Sequence, residues 1–146
     1  MVYDPNIVPF NREDWQRYLQ DELRAIADEL RVDDWTYIGD TGAPPFTGTI
    51  NWANLATAGQ PDAAFYKDPF NRVHLKGAID TGTNGESAFT LPEGYRPSDD
   101  LYFPVLQSAG AAGAYALIGT DGTVTITHSG ATGSKDVHLN NISFRV

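Results

Sequence analysis

Between Ala64 and Pro97 the chain reads AFYKDPFNRVHLKGAIDTGTNGESAFTLPEGYRP, and this stretch leaves little choice of fold class. Over residues 72–79 polar and apolar side chains alternate: Val73, Leu75, Gly77 and Ile79 fall on one side, Arg72, His74 and Lys76 on the other. A period of two marks a strand with one face buried. The aromatic segment Phe65-Tyr66-Lys67 before it ends at Asp68-Pro69, because proline has no N–H to give to a sheet ladder. The Asn84-Gly85 pair in TGTNG suits the positive φ angles of a tight turn. Residues 87–91 then resume a strand that Pro92-Glu93-Gly94 closes. The stretch is scaffold and holds no catalytic motif.

The flanking sequence repeats the pattern. Residues 35–38 read as a short strand, GDTGAPP as a loop, and residues 46–53 (FTGTINWA) as a strand with Phe46, Ile50 and Trp52 on one face. Residues 101–107 form a strand interrupted by Pro104, hence an edge or bulged one. Residues 114–118 and 123–127 flank Gly119-Thr120-Asp121-Gly122 as a hairpin, and 108–113 and 128–134 are Gly-rich loops. In residues 136–146 the apolar phase shifts at Asn140-Asn141, from Val137 and Leu139 to Ile142, Phe144 and Val146, as a β-bulge would make it. With 7 Phe, 7 Tyr and 3 Trp against only 20% charged residues, the composition agrees. About nine short strands, with turns roughly every 8–12 residues, predict a mainly β protein: an antiparallel, jelly-roll-like β-sandwich.

The N-terminal part is different. Residues 1–10 contain two prolines and are expected to be an extended arm, apolar through Val2, Tyr3, Ile7, Val8 and Phe10. Such an arm packs either on its own domain or across a neighbouring subunit. Asn11 is a good N-cap, and Glu13 and Asp14 suit the positive end of a helix dipole. From Arg12 to about Leu30, the residues Trp15, Leu19, Leu23, Ile26 and Leu30 form one helical stripe. Two readings fit this amphipathic helix: a seam that joins chains, or a face packed on the chain's own sheet. Its place at one end of a sandwich that needs no terminal helix favours the seam. The expected division is an arm and helix over 1–34, for anchoring and oligomerisation, and a β-sandwich head over 35–146.

Charge narrows the partners. The net charge is −9, with 9 acidic and 4 basic residues in 1–34 and 10 and 6 in 35–146, so neither part offers a basic face. Nucleic-acid binding and polybasic membrane docking both need Lys/Arg clusters, and neither is expected. No apolar run approaches the roughly 18 residues of a membrane span. Residues 1–10 lack the basic and apolar regions of a signal peptide, and synthesis in a cytoplasm is the expectation. There is no cysteine and hence no thiolate metal site. Asp33-Asp34 and Asp99-Asp100 are adjacent, and neighbours in extended chain point apart, so neither makes an acid/base pair. His74 and His138 each sit opposite the aliphatics of their strands; together they could hold a metal only if those strands adjoin and His128 or an acid completes the set. The expectation is no catalytic residue, no metal and no cofactor. Tyr95, Tyr102 and Tyr115 are candidates for sugar recognition by exposed loops.

Two segments carry a resemblance. Val73-x-Leu75-x-Gly77, a Gly-rich turn and then Phe89-Thr90-Leu91-Pro92-Glu93-Gly94-Tyr95-Arg96-Pro97 resembles a corner pattern of small β-rich phage virion proteins and tail-fibre heads. The later Asp121-Gly122-Thr123-Val124 hairpin and the closing segment 137–146 continue it. YLQDELRAIADEL from Tyr18 resembles the short N-terminal helix, Y-L-x-x-E-L-x-x-I-A, of such proteins. The resemblance implies a non-enzymatic structural protein of the virion. Its first form is a homotrimeric capsid decoration (cement) protein bound to the major capsid protein, the number three coming from the resemblance. Its alternative is a tail-fibre or receptor-binding head that recognises host surface glycans.

Overall fold

The computed structural model describes residues 11–31, 33–107, 113–129 and 136–146; the arm expected over 1–10, and most of the two loops expected over 108–113 and 128–134, lie outside the described residues. The chain divides into two compact units, residues 1–31 and 32–146.

In the first unit, helix α1 runs Arg12–Glu29. Asn11 caps it in extended backbone, its side chain accepting the Asp14 N–H at 2.9 Å, and Glu13 and Asp14 stand at the positive end. The Leu30 N–H still bonds the Ile26 carbonyl at the other end. No helix residue is buried, and the stripe Trp15, Leu19, Leu23, Ile26 and Leu30 is 49–65% exposed.

The second unit is an antiparallel sandwich. One sheet joins β1 (Thr36–Tyr37), β3 (Ala64–Lys67), β4 (Arg72–Lys76) and β11 (Ser143–Arg145), in that order. The other has the order β2 (Ala53–Asn54), β5 (Ala78–Asp80), β10 (Val137–His138), β7 (Leu101–Gln107), β8 (Ala114–Ile118), β9 (Thr123–Thr127), β6 (Ser87–Thr90). Their inner faces share one core, with Phe65, Val73, Leu75 and Phe144 from the first sheet and Ile79, Phe89, Ile118, Val124, Ile126 and Val137 from the second. The Gly119–Gly122 hairpin forms as expected.

Four local expectations need correction, each for an identifiable reason. Residues 72–79 are not one strand but two, β4 in one sheet and β5 in the other. The chain changes sheets at Gly77, whose φ of +114° lies where L side chains are strained. Its N–H donates to Asn140 Oδ1 and its carbonyl accepts the Leu139 N–H, both at 2.8 Å. Residues 136–146 make the reciprocal change through a turn at Asn140-Asn141, so the phase shift marks a crossing between sheets and not a bulge. Both phases are therefore buried: Val137 and Leu139 before the turn, Ile142 and Phe144 after it.

Residues 46–53 are mostly a loop. Gly48 takes a φ of +117°, and the Thr49 backbone N–H and hydroxyl both donate to the Glu86 carboxylate. Trp52 is buried, Phe46 packs edge-on against Phe89, and Ile50 faces solvent. Asn84-Gly85 makes the expected tight turn, with Gly85 at a φ of +81° and the Glu86 N–H bonded to the Thr83 carbonyl at 3.2 Å, although β5 and β6 lie far apart in the second sheet and do not pair across it. The Asn84 side chain pins this loop, donating to the His128 carbonyl and accepting the His128 N–H at 2.8 Å each. Pro104 sits in a strand with neighbours on both sides, but β10 pairs only with Leu106 and Gln107. The missing proline donor is thus harmless, and the Pro104 carbonyl accepts the Asn141 Nδ2 at 2.9 Å.

The Gly77 crossing generates a prediction. A Cβ there would stand 2.4 Å from Ala63 Cα and 2.5 Å from Ala63 N. Gly77→Ala should therefore cost at least about 3 kcal/mol, as left-handed strain and overpacking add. Gly94→Ala, at a φ of +83° but with the nearest atom 3.9 Å away, should cost only about 1–2 kcal/mol. Urea unfolding of both variants checks this; equal losses would mean that the close approach at Ala63 carries no weight.

Candidate functional site

The outer face of the four-stranded sheet gathers aromatic, histidine and lysine side chains. Tyr66 on β3 pairs in register with His74 on β4, and His74 with Ser143 on β11, so alternation sets these three in one row. The Tyr66 and His74 rings stack at 4.8 Å and 10°. Trp35 meets Tyr66 edge-to-face at 4.5 Å. Lys76 Nζ lies 4.4 Å from the Trp35 ring centre and 4.7 Å from that of Tyr37, and donates to the Tyr37 hydroxyl at 3.1 Å. With the Asn140-Asn141 turn, Trp35, Tyr66, His74, Lys76 and Ser143 wall an open groove of about 320 Å³.

Asp68 orients the row. Its Oδ1 accepts the Phe70 and Arg72 N–H groups at 2.9 and 3.0 Å, and its Oδ2 meets His74 Nε2 at 3.0 Å. The His74 hydrogen bond, then the Arg72 N–H, hold its carboxyl below the ordinary value of 3.8. Serine, histidine and aspartate thus converge here, yet they do not form a nucleophilic triad. No hydrogen bond joins Ser143 to His74; the Ser143 hydroxyl instead accepts from Arg72 Nη1 at 3.4 Å. Aromatic faces, amides and one ammonium equip the groove to bind a ligand.

A second cavity of about 240 Å³ lies on the other side of the same turn, walled by Leu106, His138, Asn140 and Asn141. Beyond it the outer face of the seven-stranded sheet shows Tyr102 on β7 and Tyr115 on β8, their rings 5.7 Å apart.

The structure separates several residues that the sequence suggested together. His74 and His138 stand in different sheets, and His128 is buried edge-on against Trp52. Among the described residues no three His, Cys, Asp or Glu side chains form a metal-ligand group. Tyr102 and Tyr115 lie on strands, not loops. Tyr95 is half-buried against Phe65, with Lys67 over its ring and its hydroxyl donating to Asp33. Sequence reasoning missed Trp35, Asn140 and Asn141 as site residues. The paired amides at a change of hydrophobic phase were the available signal.

Two acids give opposite pH responses. Asp68 has a lowered folded pKa, so its contribution to stability is present above about 3.8 and is lost as pH falls further towards the folded value. Asp68→Asn should remove that part of the acid-induced loss, read as the urea midpoint between about pH 2 and 5. Asp80 is pushed up by burial and then by the Asp136 carboxylate. Its ionisation therefore opposes folding above its raised pKa, and acidification relieves the cost. Asp80→Asn should raise the urea midpoint at pH 7 and leave it less changed near pH 4. A variant no more stable than wild type at pH 7 would contradict the assigned burial effect.

No protein-family model matches the chain, and no curated protein matches it. Among solved structures, the chain is similar to the receptor binding protein (gp15) of Listeria phage PSA. The TM-score is 0.68 at 17% identity, over 94% of this chain and 80% of that one. At that identity the two share a fold: a mainly β, antiparallel architecture with one helix.

Proposed function

We infer that this chain is a non-enzymatic bacteriophage virion protein of the receptor-binding type, which attaches the particle to glycans on the host surface. The observation that carries the reading is the fold likeness to a phage receptor binding protein over nearly the whole chain. It supports the receptor-binding alternative better than the capsid-decoration reading that the sequence put first. The aromatic groove adds chemical support, since stacked rings beside amides suit a ligand that is apolar on its ring faces and polar at its edges. The −9 charge is compatible with a sugar partner and unfavourable for nucleic acid.

Fluorescently labelled full-length protein should decorate bacterial cells of a susceptible strain and compete with phage adsorption. Immunogold labelling of intact particles should place it at the tail. Labelling of the head, with no binding to cells, would return the decoration reading.

The exposed helical stripe is assigned to self-assembly, with a homotrimer as the expected state. Leu23→Asp with Ile26→Asp would place charge in an apolar seam, at a cost of several kcal/mol if the seam is desolvated. Light scattering should then show wild type as a trimer and the double variant shifted towards monomer, with the β-type circular dichroism signal retained. A wild-type monomer, or loss of the β signal in the variant, would remove the stripe from assembly.

A further inference from the structure

We propose that the aromatic groove and the smaller cavity beside it are two subsites of one binding site for a linear, uncharged oligosaccharide, which crosses the Asn140-Asn141 turn. The proposal rests on the receptor-binding reading and adds to it a place on the protein and a ligand geometry.

The two cavities have Asn140 and Asn141 as their common wall. At about 320 and 240 Å³, each stands at or below the lower end of small-molecule sites, roughly 300–1,000 Å³, so each suits one ring better than a chain. Their surfaces differ in kind. The groove offers Trp35, Tyr66 and His74, against which the C–H face of a pyranose ring packs. The second cavity offers His138 and the exposed aliphatic Leu106.

The turn between them is held from beneath. Asn140 spends its Oδ1 on the Gly77 N–H, and Asn141 spends its Nδ2 on the Pro104 carbonyl. That leaves Asn140 Nδ2 as a donor and Asn141 Oδ1 as an acceptor, neither with a hydrogen-bond partner among the described residues. Both residues are exposed. A fixed donor and a fixed acceptor on one turn suit sugar hydroxyls, which both donate and accept. Two ring-sized hollows joined by such a pair describe consecutive sugar units and the link between them. The net charge of −9 repels a polyanion at long range, which favours a neutral chain.

The test uses the full-length protein on an array of bacterial surface glycans. Titration calorimetry follows, with the monosaccharide and the tetrasaccharide of the strongest-binding repeat. The tetrasaccharide should bind at least about tenfold more tightly than the monosaccharide. Trp35→Ala should weaken both by about tenfold or more. Leu106→Ala and His138→Ala should lower tetrasaccharide affinity towards that of the monosaccharide, with a clearly smaller effect on the monosaccharide. Melting temperatures establish that each variant is folded. Equal effects of Leu106→Ala on both ligands, or equal affinity of wild type for both, would overturn the two-subsite arrangement. Unchanged glycan binding in Trp35→Ala would move the site elsewhere and leave the receptor reading standing. Absence of glycan binding by a protein that still labels cells would exclude a carbohydrate ligand; absence of labelling as well would remove the receptor reading itself. A change in oligomeric state in Leu106→Ala, without change in glycan affinity, would assign the second cavity to a neighbouring copy.

Discussion

The Gly77 N–H to Asn140 hydrogen bond is the contact on which the β unit depends. It ties together the two places where the chain passes from one sheet to the other, residues 76–78 and 139–142. Two strands in each sheet are positioned by it: β4 and β11 on one side, β5 and β10 on the other. Gly77 also has the Ala63 backbone directly against it, so the corner admits no side chain. Because Asn140 is a wall of both cavities, the residue that closes the fold also sets the geometry of the proposed site. Stability and the proposed binding thus meet at one amide.

Much of this was legible from residue order. Alternation in residues 72–76 and 123–127, the Asp68-Pro69 stop and the Asn11 cap all depend on contacts close in sequence, and local rules apply. What failed was long-range. A strand of eight residues and two short strands at a sandwich corner have the same alternation, because both sheets present their inner faces to one core. Only the positive φ at Gly77 separates them, and glycine alone does not announce its φ. FTGTINWA looked like a strand because Phe46 and Trp52 do reach the core; the Glu86 carboxylate, distant in sequence, holds the intervening residues in a loop.

The groove was less legible than the fold. Tyr66 and His74 could be placed on one outer face by their spacing, but their pairing with each other needs the β3–β4 register. Trp35 and Lys76 meet across a separation of 41 positions in the chain, with no motif to signal it. Binding surfaces of this kind are assembled from outward residues of several strands, each unremarkable in its own segment. The histidines illustrate the converse: similar sequence settings, V-H-L in both, put His74 and His138 on different sheets with different partners.

The three tryptophans are distributed in a way that has a practical consequence. Trp15 lies on the exposed helical stripe, Trp35 walls the groove, and Trp52 is 1% exposed in the core against His128. Each therefore reports through its own optical environment: the first on the helix, the second on occupancy of the groove, the third on the integrity of the sandwich. With two of the three replaced by phenylalanine, the remaining indole becomes a single-site emission probe. Melting, and the proposed assembly and ligand capture, can then be followed one at a time in three single-tryptophan variants, none of which carries an attached dye.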